Sequence, residues 1–146
     1  MSIDLIHSAK ILAPVPGLDP GIHVLLVSKL KDVDGRVTPG HGVIVSSVHL
    51  LQSRTGESII WSEKARHHIP AHPMIRAQLA AAYALSGETD RAAAELGEAR
   101  RLSPDDRYSS IARLKSVVGS WGIPKVRALF EAAYFAGLRK AGMPEE

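Results

Sequence analysis

The sequence contains no cysteine, few aromatic residues and no long apolar run. Without cysteine the chain can form neither a disulfide framework nor a thiolate metal site. No apolar run, Val24 to Val27 included, is nearly long enough to span a bilayer, and the first residues lack the basic region and apolar stretch of a signal peptide. These absences favour a cytoplasmic protein that does not bind a membrane.

Catalytic motifs are missing as well. The chain has no GxxxxGK phosphate loop, no GxGxxG after a strand, no HExxH and no GxSxG. Glu95 and Glu98 lie three residues apart on a predicted helix, where an amphipathic surface explains them better than acid–base catalysis. We therefore expect neither an enzyme nor a cofactor.

Length and charge set further limits. The 146 residues are enough for one ordinary domain, and 45% hydrophobic with 23% charged residues is typical of a globular protein. The net charge is +3, with basic residues interleaved with acidic ones along the predicted helices. This pattern is typical of solvated helix faces, so nucleic acid is not an expected partner.

One stretch, residues 73–106, has the spacing of a helical hairpin within a 34-residue repeat. Small or apolar residues recur where two antiparallel helices would meet, and Gly87 stands at the turn between them. The spacing resembles the tetratricopeptide repeat at seven of eight diagnostic positions, while Arg76 replaces the usual aromatic residue. The matching residues, expected to pack the repeat, are Leu79, Ala80, Tyr83, Ala92, Leu96, Ala99 and Pro104.

A single hairpin of this kind cannot bury its apolar faces, so neighbouring units are expected on both sides. Residues 43–72 read as a partial repeat with a first helix at roughly Val43 to Ser53 and a turn over Ser53 to Ser58. Ser62 stands where a large apolar residue is usual, and Trp61 is expected to be exposed.

Residues 107–146 read as a degenerate repeat followed by a cap. Ser103 and Pro104 are predicted to begin its first helix, since serine is a common N-cap and proline suits the first turn. The last helix, Pro124 to Ala141, is predicted to bury one face, with Phe135 on the opposite side. The residues of that predicted face are Val126, Leu129, Phe130, Ala133 and Gly137.

Residues 1–42 differ in character because proline and glycine interrupt them at intervals too short for a helix. Their amino-acid sequence resembles a peptide translated from an interspersed bacterial DNA repeat, and this resemblance implies no activity. We predict a poorly ordered leader. A β-hairpin of Ile22 to Ser28 with Val43 to Val48 is the alternative.

The expected fold is therefore all-α, with antiparallel hairpins of tetratricopeptide type stacked as a short α-solenoid that ends in a capping helix. Residues 48–146 also resemble the C-terminal repeat region of bacterial class III adenylate/guanylate cyclases. The cyclase domain has no counterpart here, so the resemblance implies no cyclase activity.

A protein-interaction module is the expected function. Repeats of this family bind partners on the surface lined by their first helices, but the family's carboxylate clamp is absent here. The remaining groove suits an apolar helix, an adjoining domain of a parent protein, or weakly a second copy of the chain. Its partner-binding candidates are Met74, Ala77, Gln78, Ala81 and Leu85, together with Phe135 on the last helix.

Two alternatives stay open. One is a truncated remnant of a multidomain cyclase with no independent function. The other is a small metal-dependent hydrolase that uses His67, His68 and His72. His68 and His72 would share a helix face, but Pro70 interrupts that helix and no acidic partner lies near, so no metal site is predicted.

Overall fold

The structure is a computed structural model that describes residues 46–117 and 124–146. The predicted leader over residues 1–42 lies outside these ranges, as do the side chains of Lys125 and Val126. Every regular element within the described ranges is helical, so the all-α prediction is confirmed for them. None of the described helices combines the length and apolar character needed to cross a membrane.

The described helices follow one another through short connections. Residues 46–51 form a first helical segment. After it come α1 (Thr55–His68), α2 (Pro73–Leu85), α3 (Thr89–Leu102), α4 (Ile111–Val117), α5 (Pro124–Phe130), a π-helical turn (Glu131–Phe135) and α6 (Ala136–Lys140). The last three elements are continuous, so we refer to residues 124–140 as the last helix.

Helix α2 lies at the centre of the fold. It packs against α3 most extensively and also against α1, α6 and the π-helical turn. Nine of its 13 residues are buried. Five of those nine are alanines, whose small side chains let neighbouring helices approach closely from several directions.

The hairpin of α2 and α3 lies within the repeat predicted for residues 73–106. Gly87 has φ +89° and follows α2, where its amide donates to the Ala84 carbonyl oxygen at 3.2 Å. The next amide, that of Glu88, donates to the Tyr83 carbonyl oxygen at 2.8 Å. This pair of bonds is the Schellman motif, which requires a left-handed residue and so favours glycine.

Several sequence-based predictions for the region before α2 are wrong. Residues 46–48 are helical, so the alternative strand Val43 to Val48 is wrong over these positions. The predicted turn over Ser53 to Ser58 is also shorter, since α1 already begins at Thr55. Trp61, expected to be exposed, is 5% exposed because its face of α1 is turned into the fold.

Three buried serines account for the absence of a large apolar residue at Ser62. The Ser46 hydroxyl lies 3.0 Å from both the hydroxyl and the carbonyl oxygen of Ser58, and it also hydrogen-bonds the Ser62 hydroxyl. Nearby, His49 Nδ1 lies 3.0 Å from Glu57 Oε2. Residues 46–51 therefore pack on α1 through paired polar groups, and small side chains are required at this seam.

The helix expected to begin at Pro104 begins instead at Ile111, and Pro104 is exposed. Asp105 Oδ1 accepts hydrogen bonds from the Ser103 hydroxyl and the Arg107 amide, both at 3.1 Å, which holds a turn rather than a helix. The N-cap of α4 is Ser110, whose hydroxyl accepts from the Arg113 amide at 3.1 Å.

The predicted orientation of the last helix is wrong at Phe135, which is only 3% exposed. The prediction assumed a uniform α-helix, but the π-helical turn Glu131–Phe135 places an additional residue in one turn. That rotates every later side chain by about 100° relative to an α-helix. Ala133 and Gly137 remain buried as predicted, while Leu129 and Phe130 are partly buried against the core.

The C-terminal residues turn back and contact the start of α4. Gly142, with φ +104°, ends the last helix in a second Schellman motif, and Met143 after it is 3% exposed. The carbonyl oxygens of Pro144 and Glu145 then accept the first two amides of α4, at 2.8 and 2.9 Å. These bonds pair amides that a helix start leaves without a partner within the helix.

Gly137 is a point of close approach between α6 and α2. A Cβ atom there would lie 2.6 Å from the Ala81 carbonyl oxygen and 2.8 Å from Ala81 Cα and Cβ. We expect Gly137→Ala to lower the free energy of unfolding by about 1–3 kcal/mol, because the backbone of α2 would have to shift.

Gly97 offers the matched control, since a Cβ there meets nothing within 4 Å. Gly97→Ala, in the exposed part of α3, should raise the free energy of unfolding by about 0.5–1 kcal/mol. Urea denaturation of both variants measures the difference. Equal stability of the two variants would show that α6 does not pack tightly on α2.

An ion-pair cluster that includes Arg76 joins α1, α2 and α3. Glu95 of α3 is 8% exposed and pairs with Arg66 of α1 and with Arg76, whose Nη1 lies 3.0 Å from Glu95 Oε2. Arg76 also donates twice to the Pro70 carbonyl oxygen, at 3.0 and 3.2 Å. Arg76 of α2 thus contacts both the α1–α2 loop and α3.

We expect Glu95→Ala to cost about 1–3 kcal/mol of unfolding free energy, because it leaves two partly buried guanidinium groups without their carboxylate. Glu98, one turn further along α3, has a 39% exposed side chain that pairs with Arg101. Glu98→Ala should cost at most about 1 kcal/mol. Thermal unfolding of the two variants tests this order, and a reversed order would contradict it.

Candidate functional site

The candidate site is a cavity of about 240 Å³ at the N-terminal half of α2, which we call the α2 cavity. Met74 and Gln78 line it from α2; they are four residues apart and so share a helix face. Ser47, Leu50 and Leu51 of the first helical segment line the opposite side. The cavity therefore lies where that segment and α2 do not fully meet.

The second half of the wall comes from the C-terminal part of the chain. Phe130 and Tyr134 contribute aromatic rings, again four residues apart, and their ring centroids are 6.1 Å apart in an edge-to-face arrangement. Tyr108, Leu114 and Arg107 complete the lining. Most of the wall is consequently apolar or aromatic, as is usual for sites that bind organic groups.

Arg107 is the charged residue among the described residues of the lining, and its position is held by Asp105. Its Nε and Nη2 atoms donate to the two carboxylate oxygens at 2.8 and 2.7 Å. These hydrogen bonds hold the pKa of Asp105 well below its usual range. The loop is further anchored by Arg100, whose Nε donates to the Tyr108 carbonyl oxygen at 2.9 Å.

Gln78 contributes a buried polar group to the wall. It is 6% exposed, and its amide nitrogen donates to the Ser47 hydroxyl. Its Oε1 atom has no hydrogen-bond partner within the described part of the chain. A buried amide oxygen without a partner costs about 1–3 kcal/mol of stability.

The six partner-binding candidates from the sequence do not form one open groove. Met74 is 44% exposed and lies where the α2 cavity meets solvent, and Gln78 is buried in the wall of the cavity. Ala77 and Ala81 are fully buried, because neighbouring helices pack on α2; α6 covers Ala81 at Gly137. Leu85 is partly buried against the core.

Phe135 lines a different, larger cavity of about 470 Å³ with Lys115, Arg127, Ala128 and Glu131. The Lys115 ammonium lies 5.0 Å from the centre of the Phe135 ring and 2.9 Å from a Glu131 carboxylate oxygen. The lining residues flank residues 118–123 in sequence, which are outside the described ranges. Phe135 is therefore not the exposed partner contact that the sequence suggested.

The residues predicted to pack the repeat lie mostly within the core. Leu79, Ala80, Tyr83, Ala92, Leu96 and Ala99 are each at most 2% exposed, whereas Pro104 is exposed. Tyr83 also reaches beyond its hairpin, since its hydroxyl donates to Glu63 of α1 and accepts from Arg91 of α3 at 2.7 Å.

The histidines form no metal site in the described residues. His67 and His68 are exposed, with ring centroids 5.7 Å apart, and His72 precedes α2 as its N-cap residue. No group of three or more potential ligand side chains occurs within the described ranges. The buried serines near His49 are at most 1% exposed and are hydrogen-bonded to one another.

Sequence reasoning missed most of the cavity wall, including Tyr108, Phe130 and Tyr134. A signal was present: these are three of only seven aromatic residues in the chain, and all fall in its last third. Phe130 and Tyr134 also repeat at helical spacing. That clustering predicts a shared aromatic surface, although it does not show which helix lies opposite.

All three tyrosines of the chain have raised pKa values. Burial raises the pKa of Tyr108 and of Tyr134. Burial, with the hydrogen bond to the Glu63 carboxylate, raises the pKa of Tyr83 to about 12. No tyrosine should therefore ionise near pH 10, the ordinary value for the phenol, while the chain is folded.

Stability should consequently fall as the pH rises from about 10 to about 12. In this window the unfolded chain loses phenolic protons that the folded chain retains, which favours unfolding. Phenolate absorbance should change near pH 10 in urea and only at higher pH in the folded protein. Tyr83→Phe should reduce the pH dependence of the urea midpoint across this window, and an unchanged slope would contradict the assignment.

No family model, curated protein or solved structure matches the chain. The resemblance to the tetratricopeptide repeat and to the C-terminal region of cyclases therefore remains a prediction from the sequence.

Proposed function

We propose that the chain is a non-catalytic protein-interaction module of tetratricopeptide type, which binds its partner at the α2 cavity. The observation that carries this proposal is the exposure of Met74 on a helix that is otherwise mostly buried. Most of α2 is buried by its neighbours, yet Met74 in its first turn remains exposed beside an apolar cavity. Exposed apolar surface next to a concave site is typical of interaction surfaces.

The spacing of the α2–α3 hairpin supports the tetratricopeptide assignment. Two helices of 13 and 14 residues are joined by a short turn at Gly87, and small residues lie at their interface. In that family the first helix of a hairpin faces the partner. The Met74 and Gln78 positions of α2 are the two partner-facing positions that still border a cavity.

The proposal can be tested with a matched pair of charged substitutions. Met74→Glu places a carboxylate at the cavity opening, in the first turn of α2, where negative charge is favoured by the helix dipole. Ile60→Glu changes an equally exposed apolar residue on α1, 52% exposed, that does not line the cavity. Both variants should keep the melting temperature of the unaltered chain within a few degrees.

The immobilised full chain should capture one stoichiometric protein from lysate of its source cells. The Ile60→Glu variant should retain that partner, and the Met74→Glu variant should lose at least about 90% of it. A partner that both variants retain, or no stoichiometric partner at all, would overturn the proposal. The second result would favour a remnant of a larger protein with no independent function.

A further inference from the structure

We propose that an apolar run of the leader, Val24 to Val27, packs on the outer edge of the contact between the first helical segment and α1, where it covers Val48 and Trp61. The covered surface consists of described residues, and its occupant is a named part of the chain outside the described ranges. The leader is then part of the folded domain, unlike the poorly ordered leader that the sequence suggests. This role is separate from partner binding at the α2 cavity.

Val48 lies on a face of the first helical segment that points toward neither α1 nor the α2 cavity. Ser46 and His49 face α1, where they contact its serines and Glu57. Three other residues line the α2 cavity: Ser47, Leu50 and Leu51. Successive residues of an α-helix are about 100° apart, which places Val48 roughly 100° or more from the mean direction of either set. Val48 is nevertheless only 2% exposed.

Trp61 lies toward the same edge. It follows Glu57 by one turn of α1, and Glu57 Oε2 lies 3.0 Å from Nδ1 of His49, the residue after Val48. Trp61 is 5% exposed. The Lys64 ammonium lies 4.7 Å from the centre of its ring, which accounts for the cover of only one part of the indole.

The described residues do not account for the burial of this edge. Val48 and Trp61 are as well covered as members of the apolar core around α2, but neither belongs to that core. A fully buried side chain typically touches roughly 6–12 other residues. The cover of Val48 and Trp61 therefore comes from a part of the chain outside the described ranges.

Residues 1–45 are placed to supply this cover, because they end at Ser46, two residues before Val48. Residues 118–123 are less suitable, since they join α4 to α5, and neither of these helices packs extensively on α1. Within residues 1–45, Val24 to Val27 is the longest uninterrupted run of aliphatic residues. It is the part of the leader that gains most from burial.

The link between the run and its docking surface is long enough. Residues 28–45 join the run to Ser46, and an extended chain spans roughly 3.3–3.6 Å per residue. Because the run is tethered, its effective concentration at α1 is on the order of mM. This tether favours the chain's own leader over a second copy of the chain.

The test uses the fluorescence of Trp61 in the full chain. Trp121→Phe removes the other tryptophan, so that all tryptophan emission comes from Trp61. We expect the emission of an indole shielded from water and weak quenching by acrylamide. Quenching comparable to that of a free indole would contradict the proposal.

Two pairs of substitutions in this background locate the cover. Leu25→Asp with Leu26→Asp should raise the quenching constant of Trp61 at least about twofold, because carboxylates resist burial on an apolar edge. The matched control, Ile11→Asp with Leu12→Asp, places the same charges in the leader outside the run and should leave the quenching unchanged. Circular dichroism shows whether each variant keeps its helices.

A second measurement leaves the run intact. The chain has no cysteine, so Ser28→Cys carries a single nitroxide label directly after the run. We expect this label to broaden the NMR signal of the Trp61 indole N–H, and a label at Ser8→Cys to broaden it much less. A mixture of nitroxide-labelled chain with isotope-labelled chain separates the sources, since broadening there would assign the contact to a second copy and overturn the proposal.

The proposal is also wrong if the two aspartate pairs affect Trp61 equally, or if the Ser28 label leaves its indole signal unbroadened. These results are independent of the capture experiment, which changes Met74 on α2. If a partner is captured and the leader does not cover Trp61, the interaction function stands without the docked leader. If the leader covers Trp61 and no partner is captured, the docked leader stands and the interaction function fails.

Discussion

The fold depends on the close packing of helices around α2. This helix is buried almost all round, and it can be so because alanine occupies the positions that face its neighbours. At Ala81 the approach is close, and the facing residue of α6 is Gly137, which has no Cβ to collide with the α2 backbone. Small side chains on both helices are thus a geometric requirement at this contact. The α2 cavity lies elsewhere on α2, beside Met74 and Gln78.

Polar contacts at the helix seams complement this apolar packing. Glu95 joins three helices through Arg66 and Arg76, and Tyr83 links α1 to α3 through Glu63 and Arg91. Buried ionic groups of this kind add little net stability compared with apolar packing, but a wrong arrangement would leave charges unpaired. We therefore infer that these polar contacts fix the position of α1 relative to the α2–α3 hairpin. With that position set, the first helical segment is positioned opposite the N-terminal half of α2, and the cavity has its second wall.

The proposed function is based on the part of α2 that the neighbouring helices do not cover, which is the cavity beside Met74. Ala77 and Ala81 are covered, so no open groove runs along α2, and the proposed partner site is limited to the α2 cavity with Met74 exposed beside it. Gln78 Oε1 is the one polar atom of the cavity wall whose hydrogen-bonding capacity, among the described residues, is left unused in a buried position. Under the proposed function, such a site would recognise its partner by shape more than by charge.

The sequence alone determined the features that depend only on neighbouring residues, such as helix periodicity and helix ends. The 3.6-residue periodicity of small residues, Gly87 with its left-handed conformation and the end of the last helix at Gly142 all follow from backbone sterics and neighbouring residues. Tertiary structure decided what depends on distant partners. The start of α4 moved to Ile111 because Asp105 binds Arg107 in a turn, and Phe135 became buried because the π-helical turn rotates it. The α2 cavity is likewise set by tertiary structure, since its wall joins residues from Ser47 to Tyr134. Burial of a side chain is a property of all the helices that surround it, and the pattern of one helix specifies only which face is apolar.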